Sequence, residues 1–571
     1  MKKYQVKGDV PKTVQKKLSK YTPIIQSLLY HRGINDEEAA ESFFNPNYES
    51  DLNDPFLLKD VKKATKRILD AIEKGEKVLI YSDYDADGIP GAVVLHDFFK
   101  KIRYENFTNY IPHRNDEGFG LNVESIDGFV KDKVNLIITI DCGITDVEAV
   151  EEANKHGIDV IITDHHLPGD FIPKAYAIVN PNQKGDKYPF KHLCGSAVVF
   201  KLIQVLIKTG DFDIISGWDK WLLDMVGIAT ISDMVPLTGE NRTISYYGLL
   251  VLRKTKREGL KNLYKEARLQ AKNMNEDDIS FVITPRINAA SRMDEAHTAF
   301  NLLRTEDAVE AIEGAKRLTK LNDERKIITA TIVKDIKRKL SKRGELPLVI
   351  VSGNPKWKPS IMGLVAGKLA DEFNRPVFLW GRNGGGEIRG SCRSDQYTDV
   401  FSLMKSLPKD FLLHSGGHKF SGGFGISNDN VHFLEEKILE TFKSFDQKEL
   451  EEIVLIDGET TLSDIDWKLV AEMGKLAPFG KGNPKPVFIL KNLKLPEIQS
   501  FGKHSEHLKL DFPVESNGNF KKPLSAISFF SGPDSFQKPL KEGETADLIV
   551  SVEKSFFRSF PELRLRIIDI I

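Results

Sequence analysis

Cysteine is scarce in this 571-residue chain, and long apolar runs are absent. The three cysteines, Cys142, Cys194 and Cys392, lie far apart and form no CxxC pair. They build neither a disulfide framework nor a thiolate zinc site, and their usage suits a reducing cytoplasm. No uninterrupted apolar stretch reaches the roughly 18 residues of a membrane-spanning helix. The lysines of MKKYQVKGDV are not followed by the apolar segment of a secretion signal. Strong charge of one sign is missing as well. A formal net charge of −1 lacks the basic excess of an indiscriminate nucleic-acid binder, although an acidic metal centre and a basic groove would cancel in the total. With 41% hydrophobic and 29% charged residues, the chain reads as a soluble protein of about three or four domains.

The pattern divides the chain into five stretches. Residues 1–60 mix helical spacing (Ile24, Ile25, Leu28, Leu29) with an Asn/Pro/Asp-rich loop and carry no evident chemistry. Residues 61–304 alternate helical stretches with short apolar runs at 78–80, 110–111, 134–140 and 160–162, the signature of βαβ units and a mostly parallel sheet covered on both faces. A continuous helical pattern covers about 196–235 and ends before Pro236. Residues 305–343 read as a long connecting helix; the spacing of Ala308, Ile312, Ala315, Leu318, Leu321 and Ile328 keeps no strict heptad and speaks against a coiled coil. Residues 344–448 form a second α/β domain punctuated by glycine: Gly384-Gly385-Gly386, Gly390, Gly416-Gly417-His418 and Gly422-Gly423. Residues 449–571, with short alternating runs and frequent turns, suggest a small β-barrel.

The chemistry gathers behind the strands of 61–304. Tyr81-Ser82 is followed by Asp83, Asp85 and Asp87 at alternate positions. If the strand stays extended there, all three carboxylates point to one side, and such like charges need a cation or water to be tolerated. Asp141-Cys142-Gly143 follows the next long strand, Asp164-His165-His166 the one after, and Asp233 closes the helical stretch. An aspartate behind a strand is often only a helix cap, but four such positions converging on the carboxyl edge of one parallel sheet, where ligands collect, point to a metal centre. Oxygen donors with imidazole suit Mn²⁺ or Mg²⁺. Two such ions about 4 Å apart would serve phosphoryl displacement, so hydrolysis of a phosphodiester or phosphoanhydride is the natural reaction.

Asp83-Tyr84-Asp85-Ala86-Asp87-Gly88, Asp141-Cys142-Gly143, Asp164-His165-His166 and Ser232-Asp233-Met234-Val235-Pro236 resemble the four motifs of the DHH phosphoesterase superfamily. With Gly416-Gly417-His418 they are similar, over nearly the whole chain, to its single-stranded-DNA exonuclease branch. The segments 112–120, 284–293 and 478–484 match as well. The resemblance implies a DHH catalytic domain over 61–304, a DHHA1 substrate-binding domain over 344–448 and an OB-fold over 449–571. One metal would take Asp87, Asp141, His165 and Asp233; the other would take Asp85 and share Asp141, with Asp83 beside it. Asp164 would orient His165, and His166 would face the scissile phosphate. Ser391, Arg393 and Ser394 offer hydroxyls, amides and a guanidinium to a terminal phosphate, with Arg114, Arg286 and Arg292 closing on it and His418 facing the metals. The sequence departs from the family pattern at Cys392 and Phe420, where smaller residues are expected. In the OB-fold, Phe529, Phe530, Phe556, Phe557, Phe560, Lys503, Lys509, Lys554 and Arg558 are candidates for stacking on and tracking a single strand.

What the resemblance implies is 5′→3′ hydrolysis of single-stranded DNA to mononucleotides in repair and recombination, by a monomer working with a helicase and a single-strand-binding protein and not with a membrane. Two rivals are a shorter DHH phosphodiesterase for oligoribonucleotides or cyclic dinucleotides, and a non-catalytic binding subunit of replication. The extra barrel and the N-terminal region argue against the first, and the complete set of acids and imidazoles against the second.

Overall fold

A computed structural model describes residues 3–382, 387–445, 453–502, 505–516, 519–555 and 561–571, without the side chains of 514–516 and 519–522. Gly384-Gly385-Gly386, Lys503, Phe556, Phe557, Arg558 and Phe560 therefore lie outside the described residues. The chain divides into two compact units, one of Leu52–Val235 with Gly239–Leu450, the other of Met1–Asp51, Pro236–Thr238 and Glu451–Ile571.

In the first unit, helix α1 (Val61–Lys74) ends at Gly75, whose φ of 66° is the left-handed cap that glycine adopts without steric cost. Strand β1 (Val78–Ser82) follows, then α2 (Gly88–Lys101), β2 (Phe107–Tyr110), β3 (Leu136–Ile140), β4 (Asp159–Thr163) and β5 (Ala177–Val179). All pair in parallel in the order β2-β1-β3-β4-β5. Every residue of β1 and β3 is buried, as expected of strands covered on both faces. Each buried Val, Leu or Ile contributes roughly 1.5–3 kcal/mol, which fixes the strand ends that carry the acids. The strand at 177–179 is too short to stand out in the sequence. The stretch 196–235 is not one helix but two, α3 (Gly195–Thr209) and α4 (Leu223–Ser232). Gly210 adopts extended backbone angles and ends the first.

Helix α5 (Thr284–Arg292) and the long α6 (Ala308–Leu340) follow. Asp307 caps α6, accepting from the Val309 and Glu310 amides. The far end of α6 buries Ile332 and Ile336 against Ile361, Val365 and Leu369 of α7 (Pro359–Phe373). Around α7 lies a second sheet of β6 (Ile350–Gly353), β7 (Val377–Arg382), β8 (Ile388–Arg393), β9 (His414–His418) and β10 (Ser421–Ile426), in the order β9-β10-β8-β7-β6. Only β6 and β7 run parallel.

In the other unit, Lys3–Val6 pairs in parallel with Ile453–Ile456. Leu18, Ile25, Leu28 and Leu29 share a core with Leu469, Phe488, Leu510 and Leu548. Its seven-stranded ladder runs from Gly458–Glu459 at one end to Ile498–Phe501 at the other. The two end strands do not pair among the described residues, so the closure expected of a barrel is not seen there. No described helix is long and apolar enough to cross a membrane.

Candidate metal centre

The extended geometry expected for Asp83, Asp85 and Asp87 does not occur, because β1 ends at Ser82 and the chain turns into α2. The turn gives the three carboxylates different surroundings. Asp85 Oδ1 accepts from the amides of Asp87 (2.8 Å) and Gly88 (3.2 Å), closing the turn that leads into α2. Asp87 reaches the start of α3, where its two oxygens accept from the amides of Gly195 (2.7 Å) and Ser196 (2.8 Å). Asp83 is buried, and its Oδ1 has no hydrogen-bond partner. Burial first, and then the charge of Asp85, holds Asp83 well above the usual carboxylate range.

Asp141 stands directly behind β3 with a left-handed φ of 62°, a strained conformation that for non-glycine residues clusters at functional sites. Gly195 lets α3 approach it, since a Cβ there would fall 2.5 Å from the Asp141 Cβ. Asp141 Oδ1 is buried without a hydrogen bond and lies 3.1 Å from His165 Nε2. The same imidazole nitrogen is 3.9 Å from Asp87 Oδ2 and 3.8 Å from Asp233 Oδ2. Burial, followed by the charges of Asp87, Asp85, Asp83 and Asp233, pushes Asp141 well above its ordinary pKa. Burial lowers that of His165, leaving the neutral imidazole that a metal ligand requires. Three groups of donor atoms are each close enough to share an ion: Asp87, His165 and Asp233; Asp83, Asp85 and Asp141; and Asp141, His165 and His166.

Asp164, which the resemblance assigns to orienting the His165 imidazole, bonds the ring of His166 and meets His165 through its backbone amide. Its Oδ1 accepts from His166 Nδ1 at 2.8 Å and from the backbone amides of both histidines, while Oδ2 accepts from Ile144. Burial opposes the charge on both partners. The hydrogen bond nonetheless keeps Asp164 below the usual carboxylate range and pushes His166 up to about 9. His166 Nδ1 is 3.9 Å from Asp141 Oδ1, and the exposed ring of Phe119 meets the imidazole edge-on.

Beside the acids lies a cluster of arginines. Arg114 stacks over Tyr84 at 4.6 Å. Arg292 is pushed down to about 9 by burial and then by the charges of Arg114, Arg325 and Arg393. Arg393 is lowered by burial, with Arg114 adding to the effect. No carboxylate pairs with Arg292 or Arg393 among the described residues; Arg292 donates to the Ser360 carbonyl and Arg393 to the Cys392 carbonyl. On β8, the alternation of strand side chains sets Arg389, Ser391 and Arg393 on one face and Ile388, Gly390 and Cys392 on the other. Cys392 packs in the core with Met404 and Phe424, so its departure from the family pattern does not touch the polar face. Phe420 is exposed between β9 and β10, under Lys419.

Not every expected residue joins this cluster. Arg286 donates to the Val282 carbonyl (2.8 Å) and Thr319 Oγ1 (3.4 Å), toward α6. Ser394 Oγ donates to the Thr398 carbonyl at 2.6 Å, and its amide to Phe420. His418 is exposed at the end of β9, with Ser421 Oγ at 3.4 Å. Conversely, two residues without an assigned role reach the site. Arg389 donates to the Asn115 carbonyl at 3.0 Å, and Asn288 Oδ1 accepts from the Ala86 amide at 2.9 Å. The signal in the sequence is the alternate spacing of Arg389, Ser391 and Arg393, which puts all three on one strand face. In the other unit, Phe530 is 82% exposed, and His507 packs edge-on against Phe529 and Phe530. Arg566 lies 4.2 Å over the Phe529 ring, Lys509 pairs with Asp511 and Lys554 sits over Trp467.

The DHH family, N-terminal domain, matches residues 77–230, the DHHA1 domain 346–448 and the RecJ OB domain 456–569. The single-stranded-DNA-specific exonuclease RecJ of Bacillus subtilis (strain 168) is 35% identical over 553 residues, covering 95% of this chain and 68% of that protein. The chain belongs to the RecJ family. RecJ of Escherichia coli (strain K12) is 31% identical, over 76% of this chain and 78% of its own length. In shape the chain follows the crystal structure of RecJ from Thermus thermophilus in complex with Mn²⁺, with a TM-score of 0.81 at 24% identity, covering 100% of this chain and 79% of that one. A crystal structure of exonuclease RecJ bound to manganese gives a TM-score of 0.60 at 28% identity, over 70% of this chain and 97% of the other.

Proposed function

We propose that this chain is a metal-dependent exonuclease that hydrolyses single-stranded DNA from the 5′ end to 5′-mononucleotides, in DNA repair and recombination. The observation that carries the reading is the adjacency, within one compact unit, of uncompensated acids and uncompensated arginines. Asp83 and Asp141 each keep a buried oxygen without a hydrogen bond, and like charges so placed require a cation. The donors are carboxylates with one neutral imidazole, a set suited to Mn²⁺ or Mg²⁺. Asp87, His165 and Asp233 would hold one ion, and Asp83 and Asp85 the other, with Asp141 between the groups. Bound there, two divalent cations would supply positive charge to the phosphate under attack and make water a stronger nucleophile.

The chain's own residues do the rest. Arg114, Arg292 and Arg393 would bind the 5′ phosphate, together with Ser391, and so set the cleavage point one nucleotide inward. His166, held by Asp164 through Nδ1, would present Nε2–H to an oxygen of the scissile phosphate. The exposed Phe530 and the arginines stacked on Phe529 would guide the strand in the OB domain. The relatives named above are single-stranded-DNA-specific exonucleases, which supports the choice of substrate. The same reading places a monomer in the cytoplasm, in keeping with its free, buried cysteines, where a helicase and a single-strand-binding protein would expose and present its strand.

The test is digestion of 3′-labelled and 5′-labelled single-stranded DNA with Mn²⁺ or Mg²⁺ by the wild type and by Asp141→Asn. Release of 5′-mononucleotides by the wild type alone is expected. Equal release by both, or release from the 3′ end, would overturn the reading.

A further inference from the structure

Helix α5 carries Thr284, Asn288 and Arg292 at four-residue steps, hence along one face. Each bonds a different part of the site. Thr284 Oγ1 lies 2.5 Å from Oγ of Ser232, the residue before Asp233. Asn288 Oδ1 accepts from the amide of Ala86, between Asp85 and Asp87. Arg292 Nη1 donates to the Ser360 carbonyl at 2.6 Å, and Ser360 Oγ donates back to the Arg292 carbonyl at 2.9 Å. The helix follows directly on a π-helical turn, Ile279–Ile283, a rare geometry found mostly at functional sites.

Asn288 occupies the decisive position. In the turn after β1 the amides of Asp87 and Gly88 already donate to Asp85 Oδ1. Ala86 is 2% exposed, so its N–H cannot turn to water, and a buried amide without a partner is costly. The carboxylates of this turn are those of Asp83, Asp85 and Asp87, and both oxygens of Asp87 are already engaged by the Gly195 and Ser196 amides, which leaves Asp83 and Asp85. Deprived of Asn288, the Ala86 amide would draw on one of them.

We propose that Asn288 is a positioning residue: by accepting from Ala86 N–H it keeps the Asp83 and Asp85 carboxylates from turning to that amide and so leaves them oriented for cations. The inference rests on the metal-dependent reading and gives Asn288 a role through its hydrogen bond to the Ala86 amide.

Calorimetric titration of Mn²⁺ into the chelator-treated full-length chain tests it without reference to activity. Asn288→Ala and Asn288→Leu remove the acceptor; Asn288→Asp retains it. The first two should weaken Mn²⁺ binding by about 10- to 100-fold, as loss of a ligand-orienting partner commonly does, while the third binds at least nearly as tightly as the wild type. Near-UV circular dichroism identifies the variants that fold. Wild-type affinity in any folded variant lacking the acceptor would overturn the proposal, as would an equal loss in Asn288→Asp, which would make side-chain packing the cause. A wild type that takes up no Mn²⁺ would instead overturn the metal-dependent reading itself, and this inference with it.

Discussion

Asp164 and His166 form a closed pair: the carboxylate accepts from the imidazole Nδ1 at 2.8 Å and also from the His166 amide at 3.1 Å. The ring is thereby fixed relative to its own backbone, and its Nε2 is directed away from Asp164. Asp164→Asn should lower kcat on single-stranded DNA by about 10- to 100-fold, with a smaller change in Mn²⁺ affinity. His166→Ala should have a similar effect, and the double variant should be little worse than either single one, because the two residues act as a unit. Steady-state kinetics on the four proteins checks this; fully additive losses would separate the two roles.

Arg393 shares a strand face with Ser391 and lacks a carboxylate partner among the described residues. Arg393→Ala should raise KM for 5′-phosphorylated single strands by about tenfold or more, the equivalent of one charge-assisted hydrogen bond. The same strands with a 5′ hydroxyl should be turned over much as by the wild type. Unchanged kinetics on the phosphorylated substrate would remove Arg393 from the anion pocket.

Gly195→Ala places a methyl group 2.5 Å from the Cβ of Asp141. A shift of α3 or of the Asp141 turn must follow, and overpacking of this kind costs about 1–3 kcal/mol. Denaturant unfolding should register that loss. Mn²⁺ binding should weaken as well, because the displaced residue is the one that stands between the two donor groups.

His96 lies against Phe107 and Phe300, with Asn109 Nδ2 3.0 Å from its Nδ1. Burial, then the charges of Arg304, Lys100 and Arg257, lowers its pKa from 6.5 to about 4. The unfolded chain therefore takes up a proton that the folded chain refuses, and this part of the stability, complete above about pH 6.5, is lost as the pH falls toward 4. Discounted for the solvent that reaches this partly exposed ring, the loss between pH 7 and pH 5 should be about 1 kcal/mol, and His96→Gln should show a correspondingly flatter acid dependence in urea titrations at the two pH values.

Much of this site could be read before the fold was known. Asp87, Asp141 and His165 stand just behind apolar runs, and a parallel sheet necessarily brings such positions to one edge. What could not be read is which acceptor each amide finds. That Asp164 turns to His166, and Asn288 to Ala86, depends on dihedral angles of a few residues in turns. Ser394 illustrates the same point: its loop motif suits a phosphate, but the nearest acceptor for its hydroxyl is the Thr398 carbonyl. The pairing of Lys3–Val6 with Ile453–Ile456 was equally hidden, because no local pattern announces a partner strand some 450 positions away.

The hydrogen bonds from Gly195 and Ser196 to Asp87 bear on how an inactive form should be made for trapping a bound strand. Substituting Asp87 would remove a helix cap along with a candidate ligand, so a silent protein would not reveal which loss silenced it. Asp141→Asn is the cleaner choice. Asparagine tolerates the left-handed backbone that alanine resists, keeps the shape of the side chain, and leaves both amides at the start of α3 with their acceptors.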